Sequence, residues 1–239
     1  MLSTWGVVRR ELASYFNSPT AYIVMGFFLL ILGYSLFSTL FLGGLASMHT
    51  FFAAAPMLLV VFAPAITMRC IAEEKKTGTI EMLLTLPISE GKVVVAKFLA
   101  SLILVIIGLL FTSIHLITVA KLAAPGAGMD LGPVAGGYIG LVLLAGAFLS
   151  LGILASSLTN SQIVAFIIGL VCCFFFYFID KLAPFLPVQW ASFFEYLSAD
   201  YHFANIARGV IDSRDVVYYI SLIGISLALT QRSLRADRA

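Results

Sequence analysis

The sequence holds 239 residues, 61% of them hydrophobic and 11% charged, where an ordinary soluble domain carries roughly 25% charged residues. Such a chain cannot cover a water-facing surface, which argues against a soluble enzyme and against a disordered segment. Its net charge of only +2 offers no footprint for nucleic acid. Its three cysteines, Cys70, Cys172 and Cys173, are too few for a disulfide framework and read as small core hydrophobes.

Residues 1–18 have the spacing of an amphipathic helix. Trp5, Val8, Leu12, Tyr15 and Phe16 recur at three- and four-residue steps, with Arg9, Arg10 and Glu11 mostly elsewhere. This is the pattern of a helix lying in the membrane interface, either a generic anchor or an elbow that holds the chain in the bilayer plane. Ser18 then caps a helix whose first position is Pro19.

The long gaps between charges define the rest. No Asp, Glu, Lys or Arg occurs in the 57 positions between Glu11 and Arg69, the 23 between Lys97 and Lys121, the 49 between Asp130 and Asp180, or the 16 between Asp215 and Arg232. A spanning helix needs about 20 apolar residues. The two longest gaps each hold two spans, broken at Gly43-Gly44 and at residues 156–161, and the others hold one each. Six spans are predicted, at 19–41, 51–68, 93–120, 134–155, 162–179 and 216–234, and the first is read as retained rather than as a signal peptide. Apolar runs such as Val93-Val94-Val95 do not alternate as barrel strands would. Ten Lys and Arg residues fall on one side of this topology and four on the other, which puts both termini and the segment 69–92 in the cytoplasm.

Segment 69–92 is the richest in signals. Glu73 stands one turn from Lys76, Gly78 is a helix stop, and Thr79 can cap a second short helix that ends at Pro87. That helix sets Ile80, Leu83 and Leu84 on one stripe, beside Glu81 and Thr85. Ser89 and Glu90 open the next helix. The chemistry fits a rigid protrusion for docking a partner and fits equally a solvated loop whose leucines cover the bundle end.

Small residues at Gly132, Gly136 and Gly140 favour close helix packing, within one subunit or at a dimer seam. Residues 181–215 are too polar for a span and too apolar for a free loop, with Trp190, Phe193, Phe194, Leu197 and Tyr201 at helical steps and Arg208 one turn from Asp212. An interfacial helix with an aromatic belt is one reading of them. No phosphate-cradling loop of the G-x-x-x-x-G-K-[ST] type occurs. His49, His115 and His202 lack metal-ligand spacing. His115 falls inside the third span, where a hydrogen-bonded packing role is expected ahead of a pathway role.

The run Glu73-Glu74-Lys75-Lys76-Thr77-Gly78-Thr79-Ile80-Glu81-Met82-Leu83-Leu84-Thr85-Leu86-Pro87 resembles the cytoplasmic signature of ABC transporter permeases of the type-two exporter class. The tail, from Tyr196 through Asp212 to Tyr219, resembles the gliding-motility branch of that class. The resemblance covers nearly the whole chain. It implies an all-α integral membrane protein, a single permease domain over 1–239, with an elbow helix at 1–18, six spans, a cytoplasmic coupling helix within 69–92 and a re-entrant helical hairpin at 181–215. It assigns ATPase docking to Glu73, Glu74, Gly78, Thr79, Ile80, Glu81, Leu83, Leu84, Leu86 and Pro87, and the interfacial elbow to Trp5, Arg9, Arg10, Leu12 and Phe16. It sets Phe174, Phe175, Phe176 and Tyr177 near a central passage or dimer interface. It implies a separate ABC ATP-binding subunit that binds ATP and Mg, no cofactor on this chain, a second permease subunit of the same or a related sequence, an extracytoplasmic auxiliary protein, and a bacterial cytoplasmic membrane. An intramembrane enzyme using His115 or His202, and a non-transporting scaffold, are the alternatives from other classes.

Overall fold

The computed structural model describes residues 4–43, 48–79, 89–122, 131–185 and 187–236. Among these residues the structure is all-helical. The helices are α1 (Thr4–Asn17), α2 (Pro19–Gly43), α3 (His49–Thr67), α4 (Ala72–Thr77), α5 (Glu90–Leu122), α6 (Leu131–Ser157), α7 (Gln162–Phe178), a 3₁₀ segment (Ile179–Phe185), α8 (Val188–Leu197), α9 (Ala199–Ala207) and α10 (Ser213–Ala236).

Five helices are long and apolar enough to cross a membrane, over Ala21–Ser38, His49–Thr77, Glu90–Val119, Gly132–Ser157 and Gln162–Leu182. The most enclosed is α6, 78% buried over its apolar stretch, and α3, α5, α7, α9 and α10 pack around it. Its side chains Leu141, Leu144, Phe148, Leu149 and Ile153 are fully buried. The outermost are α2 and α7, each 28% buried. Their exposed faces carry Tyr22, Phe27, Leu30 and Tyr34 on α2, and Ile163, Ile167 and Val171 on α7.

The sixth expected span is observed as a 24-residue helix, α10, and it falls outside the apolar set. The reason lies in which residues it buries. Asp215, Tyr219, Ser226 and Thr230 face inward, while Val217, Ile220, Ile225 and Leu229 face outward. These buried polar residues, together with Gln231 and Arg232 near the end of the helix, lower its mean hydropathy.

Close backbone approach explains the glycine stripe. A Cβ on Gly136 would collide with the Ile206 carbonyl oxygen, and one on Gly140 would stand 3.0 Å from the Phe203 ring. The stripe therefore seats α9 on α6 within one chain. The chain then leaves α9 through Gly209, whose φ of +88° suits glycine. This turn stops the helix before Asp212, so the expected Arg208–Asp212 pair does not form; Asp212 instead accepts from the Arg214 amide at 2.9 Å.

One boundary and one helix face differ from the sequence reading. Ser156 and Ser157 are buried last residues of α6 rather than part of a loop. The amphipathic face of α1 is also split: Val7 and Val8 pack on Ala96 and Ala100 of α5, with Tyr15 beside them. Trp5 and Phe16 point outward instead, with Arg9 and Arg10 also exposed and Leu12 half-buried.

Candidate functional site

The polar side chains gather at the two ends of the bundle. At one end stands α4, only six residues long, with Ala72 as its one buried residue. A helix this short has too few internal bonds to hold itself, so its position depends on side chains sent from other helices.

Ser156, at the end of α6, supplies the first. Its Oγ accepts from the Ile71 amide at 3.1 Å and the Ala72 amide at 3.0 Å, and donates to the Met68 carbonyl at 3.1 Å. One hydroxyl thus uses its whole donor and acceptor capacity to close the end of α3 and the start of α4, where backbone groups lack helical partners. The neighbouring Ser157 carbonyl accepts from Lys75 Nζ and from Ser233 Oγ, which ties α4 to the end of α10. Close by, Arg235 of α10 pairs with Glu90, the first residue of α5, at 2.9 Å.

Lys97 of α5 is the third fastening. Its side chain is 2% exposed, with Nζ 2.7 Å from Glu74 Oε1 on α4 and 3.3 Å from Glu11 Oε2 on α1. A buried ammonium is tolerated only when paired and hydrogen-bonded, and here one cation binds α1, α4 and α5 together. Beside it, Tyr15 of α1 lies 3.0 Å from Cys70 Sγ and donates to the Ile66 carbonyl at 3.4 Å. Burial pushes the Tyr15 phenol well above its ordinary range, which keeps it a neutral donor.

Of the residues assigned to docking, Glu74 is drawn into this cluster. Glu73 is exposed, and its expected pairing with Lys76 does not form. Gly78 ends α4 in the left-handed conformation at φ 70°. The Thr79 hydroxyl lies 2.9 Å from that of Thr77, which bonds back to the Glu73 carbonyl. Ile80, Glu81, Leu83, Leu84, Leu86 and Pro87 lie outside the described residues.

At the opposite end α8 and α9 form a cap. His202 is buried with Nδ1 2.6 Å from Asp215 Oδ1, its Nε2–H donating to the Tyr196 carbonyl at 3.0 Å and its ring stacked on Tyr218 at 4.0 Å. Tyr218 and Tyr219 of α10 donate to the Leu197 and Ala199 carbonyls at 2.6 and 2.7 Å. Ser198 caps α9 and donates to Asp180 at 3.0 Å, and Lys181 bridges Asp180 and Asp200 at 2.7 and 2.8 Å. Through Nδ1 the His202 ring holds the cap to α10, and through Nε2 it ties α9 to α8.

The remaining predicted residues scatter. Phe174 and Phe175 are exposed, Phe176 is half-buried, and Tyr177 is buried with its carbonyl accepting from Ser198; the four do not share a face. His115 packs against Gly33 and edge-on to Phe37, and its Nδ1 is buried without the hydrogen bond expected of it. Among the described residues no group of His, Cys, Asp or Glu is placed to hold a metal ion.

Residues 18–229 match the model of the ABC-2 family transporter proteins. The chain belongs to that family. An ABC-2 permease is the membrane component of an ABC transporter, which implies an ATP-binding subunit as its partner. No curated protein matches the chain. In this multi-pass ABC-2 permease, the fastened α4 carries Glu73 to Thr77, the start of the run that continues to Pro87.

Proposed function

We propose that this permease couples ATP hydrolysis by a separate subunit to export, or to force on an extracytoplasmic partner, through the segment that begins at α4. The carrying observation is that α4 is bonded to α1, α5 and α6 by Lys97, Ser156 and Lys75. A push on a segment so fastened moves helices, whereas a push on a free loop is dissipated. In this reading residues 79–86 form the coupling helix seated in the ATP-binding subunit, on the cytoplasmic side where ten of the fourteen basic residues fall.

α10 is the sixth span, supported by its apolar outward face and its inward polar stripe. Both termini are then cytoplasmic, and the membrane is the bacterial inner membrane. α1 is the interfacial elbow and the cap of α8 and α9 the re-entrant segment. A second permease subunit, of the same or a related sequence, completes a dimer. The resemblance of the tail, from Tyr196 to Tyr219, supports the gliding-motility branch of the family.

Glu81→Ala and the double change Leu83→Ala, Leu84→Ala are tested by pull-down of the co-expressed ATP-binding subunit. Loss of the complex with the permease still folded is the expected result. Unchanged assembly together with unchanged stimulation of ATP hydrolysis overturns the docking role.

A further inference from the structure

α6 reaches both polar ends of the bundle, and at each end it meets its neighbour at backbone distance. At the α4 end Ser156 bonds the Ile71 and Ala72 amides and the Met68 carbonyl. One turn earlier, a Cβ on Gly152 would collide with the Thr67 hydroxyl and stand 3.4 Å from Pro64 Cα. The turn that joins α3 to α4 therefore lies directly on α6. At the other end a Cβ on Gly136 would collide with the Ile206 carbonyl oxygen. One on Gly209 would stand 2.9 Å from the Gly132 carbonyl carbon and 3.0 Å from the Pro133 nitrogen. The end of α9 thus rests on the first turns of α6 with no side chain between them at these points, and α9 in turn holds α8 and α10 through His202.

Contacts of this kind pass a displacement on, because a close-packed interior is nearly incompressible. A contact made through a long side chain absorbs it by changing rotamer. The other fastenings of α4 are of the second kind: Glu74 meets Lys97 tip to tip at 2.7 Å, and Lys75 reaches the Ser157 carbonyl with its Nζ. α3 is itself interrupted just above α4, since Pro64 in its last turn has no N–H for the Val60 carbonyl one turn back. Pro56 makes a second such gap. α6 carries proline only in its first turn, at Pro133, where the backbone N–H has no helical partner to lose. Its 27 residues reach about 40 Å at the helical rise of 1.5 Å per residue.

We propose that α6 is the connecting rod between the two ends of the bundle. A push on α4 enters α6 at Ser156 and Gly152, shifts it against its neighbours, and leaves it at Gly136 and Gly140, where α9 is seated. The cap keeps its seat and is carried with α6, so it follows α4 by this route and not along α3 or α5. The route rests on α4 being pushed by an ATP-binding subunit. Packed helices shift by about 1–2 Å in transitions of this kind.

The test measures distances between spin labels in the complex with the ATP-binding subunit, nucleotide-free and with ATP trapped by vanadate. The labels sit in a Cys172→Ser chain, Cys70 and Cys173 being buried, and the labelled chain is diluted with unlabelled chain. One pair joins Lys76→Cys on α4 to Tyr22→Cys on α2. The other joins Ala204→Cys on α9 to Tyr34→Cys on α2, and all four positions are exposed. Both distances should shift on trapping, by roughly 1–2 Å. Ser156→Ala should remove most of the cap shift while the α4 shift persists, which a mere loss of stability would not produce. Lys97→Met, which cuts α4 from α1 and α5, should leave the cap shift accompanying the α4 shift. An α4 pair that stays still in the parent chain overturns the coupling reading and this route together. An α4 pair that shifts beneath a still cap overturns the route alone. A Ser156→Ala chain that keeps the full cap shift, or loses the α4 shift along with it, also overturns the route, as does a Lys97→Met chain whose cap stays still while α4 moves.

Discussion

The two ends of the bundle solve one problem, the burial of charge, in different ways. At the α4 end a single ammonium, Lys97, collects carboxylates from two other helices, and a single hydroxyl, Ser156, closes three backbone groups. At the cap end the His202–Asp215 pair is enclosed by aromatic rings, and α9 has its own apolar footing, with Phe203 and Ile206 seated over Gly136 and Gly140. The cap would retain packing if its His202–Asp215 contact were lost. α4 has one buried residue of its own and would retain almost none. A segment positioned by a few directional bonds is stiff while they hold and released when they break, which suits a part that transmits motion. A segment held by packing stays in place, which suits a lid.

Variants that loosen one end and leave the other intact sharpen this contrast, and trypsin reports on both: Lys75 and Lys76 mark the α4 end, and the exposed Arg208 and Arg214 mark the cap. The largest effect is expected from Lys97→Ala, which leaves two carboxylates around an empty site and should cost about 3–5 kcal/mol. Cleavage after Lys75 and Lys76 should then accelerate by roughly two to three and a half orders of magnitude, since susceptibility follows the open population, with cleavage after Arg208 and Arg214 unchanged. Equal acceleration at both ends would erase the distinction. Asp215→Ala leaves His202 Nδ1 buried without its hydrogen-bond partner and should cost about 1–3 kcal/mol, with the opposite cleavage pattern. Gly136→Val forces a side chain against the Ile206 carbonyl and should lower stability by about 1–3 kcal/mol, seen as a lower melting temperature and faster cleavage at Arg208. Ser156→Ala leaves two amides and a carbonyl without their buried partner, an expected loss of about 1–3 kcal/mol confined to the α4 end. The smallest effect is expected at the outward-facing Trp5, where Trp5→Ala should move the melting temperature little, within about 0.5 kcal/mol; a large shift would mean that Trp5 is packed rather than exposed.

Much of the helical framework is legible in the charge gaps, because a run of apolar residues long enough to span a bilayer has few other uses. Five of the six expected spans stand as long apolar helices, with ends moved by a few residues. α10, which stands where a sixth was expected, shows why such a helix is harder to read. Average hydropathy does not distinguish an inward Ser226 or Thr230 from an outward one. The Gly78 stop was likewise visible, since a left-handed residue after Lys75-Lys76-Thr77 has few occupants other than glycine.

The candidate site was legible only in part. Glu74 was marked by its place in the signature run, but its partner Lys97 lies 23 residues on, inside what reads as the start of a span. Ser156 looked like a turn residue, and the amides it closes lie 84 and 85 residues away. His202 and Asp215 are 13 residues apart, separated by a helix end and a turn. Local periodicity reaches over one or two helical turns and cannot register such pairs.

By itself, then, the amino-acid order determined the five long apolar helices, the helix stop at Gly78, and that a charged segment follows the second long apolar run, because each of these rests on neighbours a few positions apart. Only the tertiary structure decided which charges are buried together, which face of α10 is polar, and what fastens α4. Those outcomes depend on helices distant in sequence meeting at a few ångströms, where desolvation penalises a charge that lacks a partner.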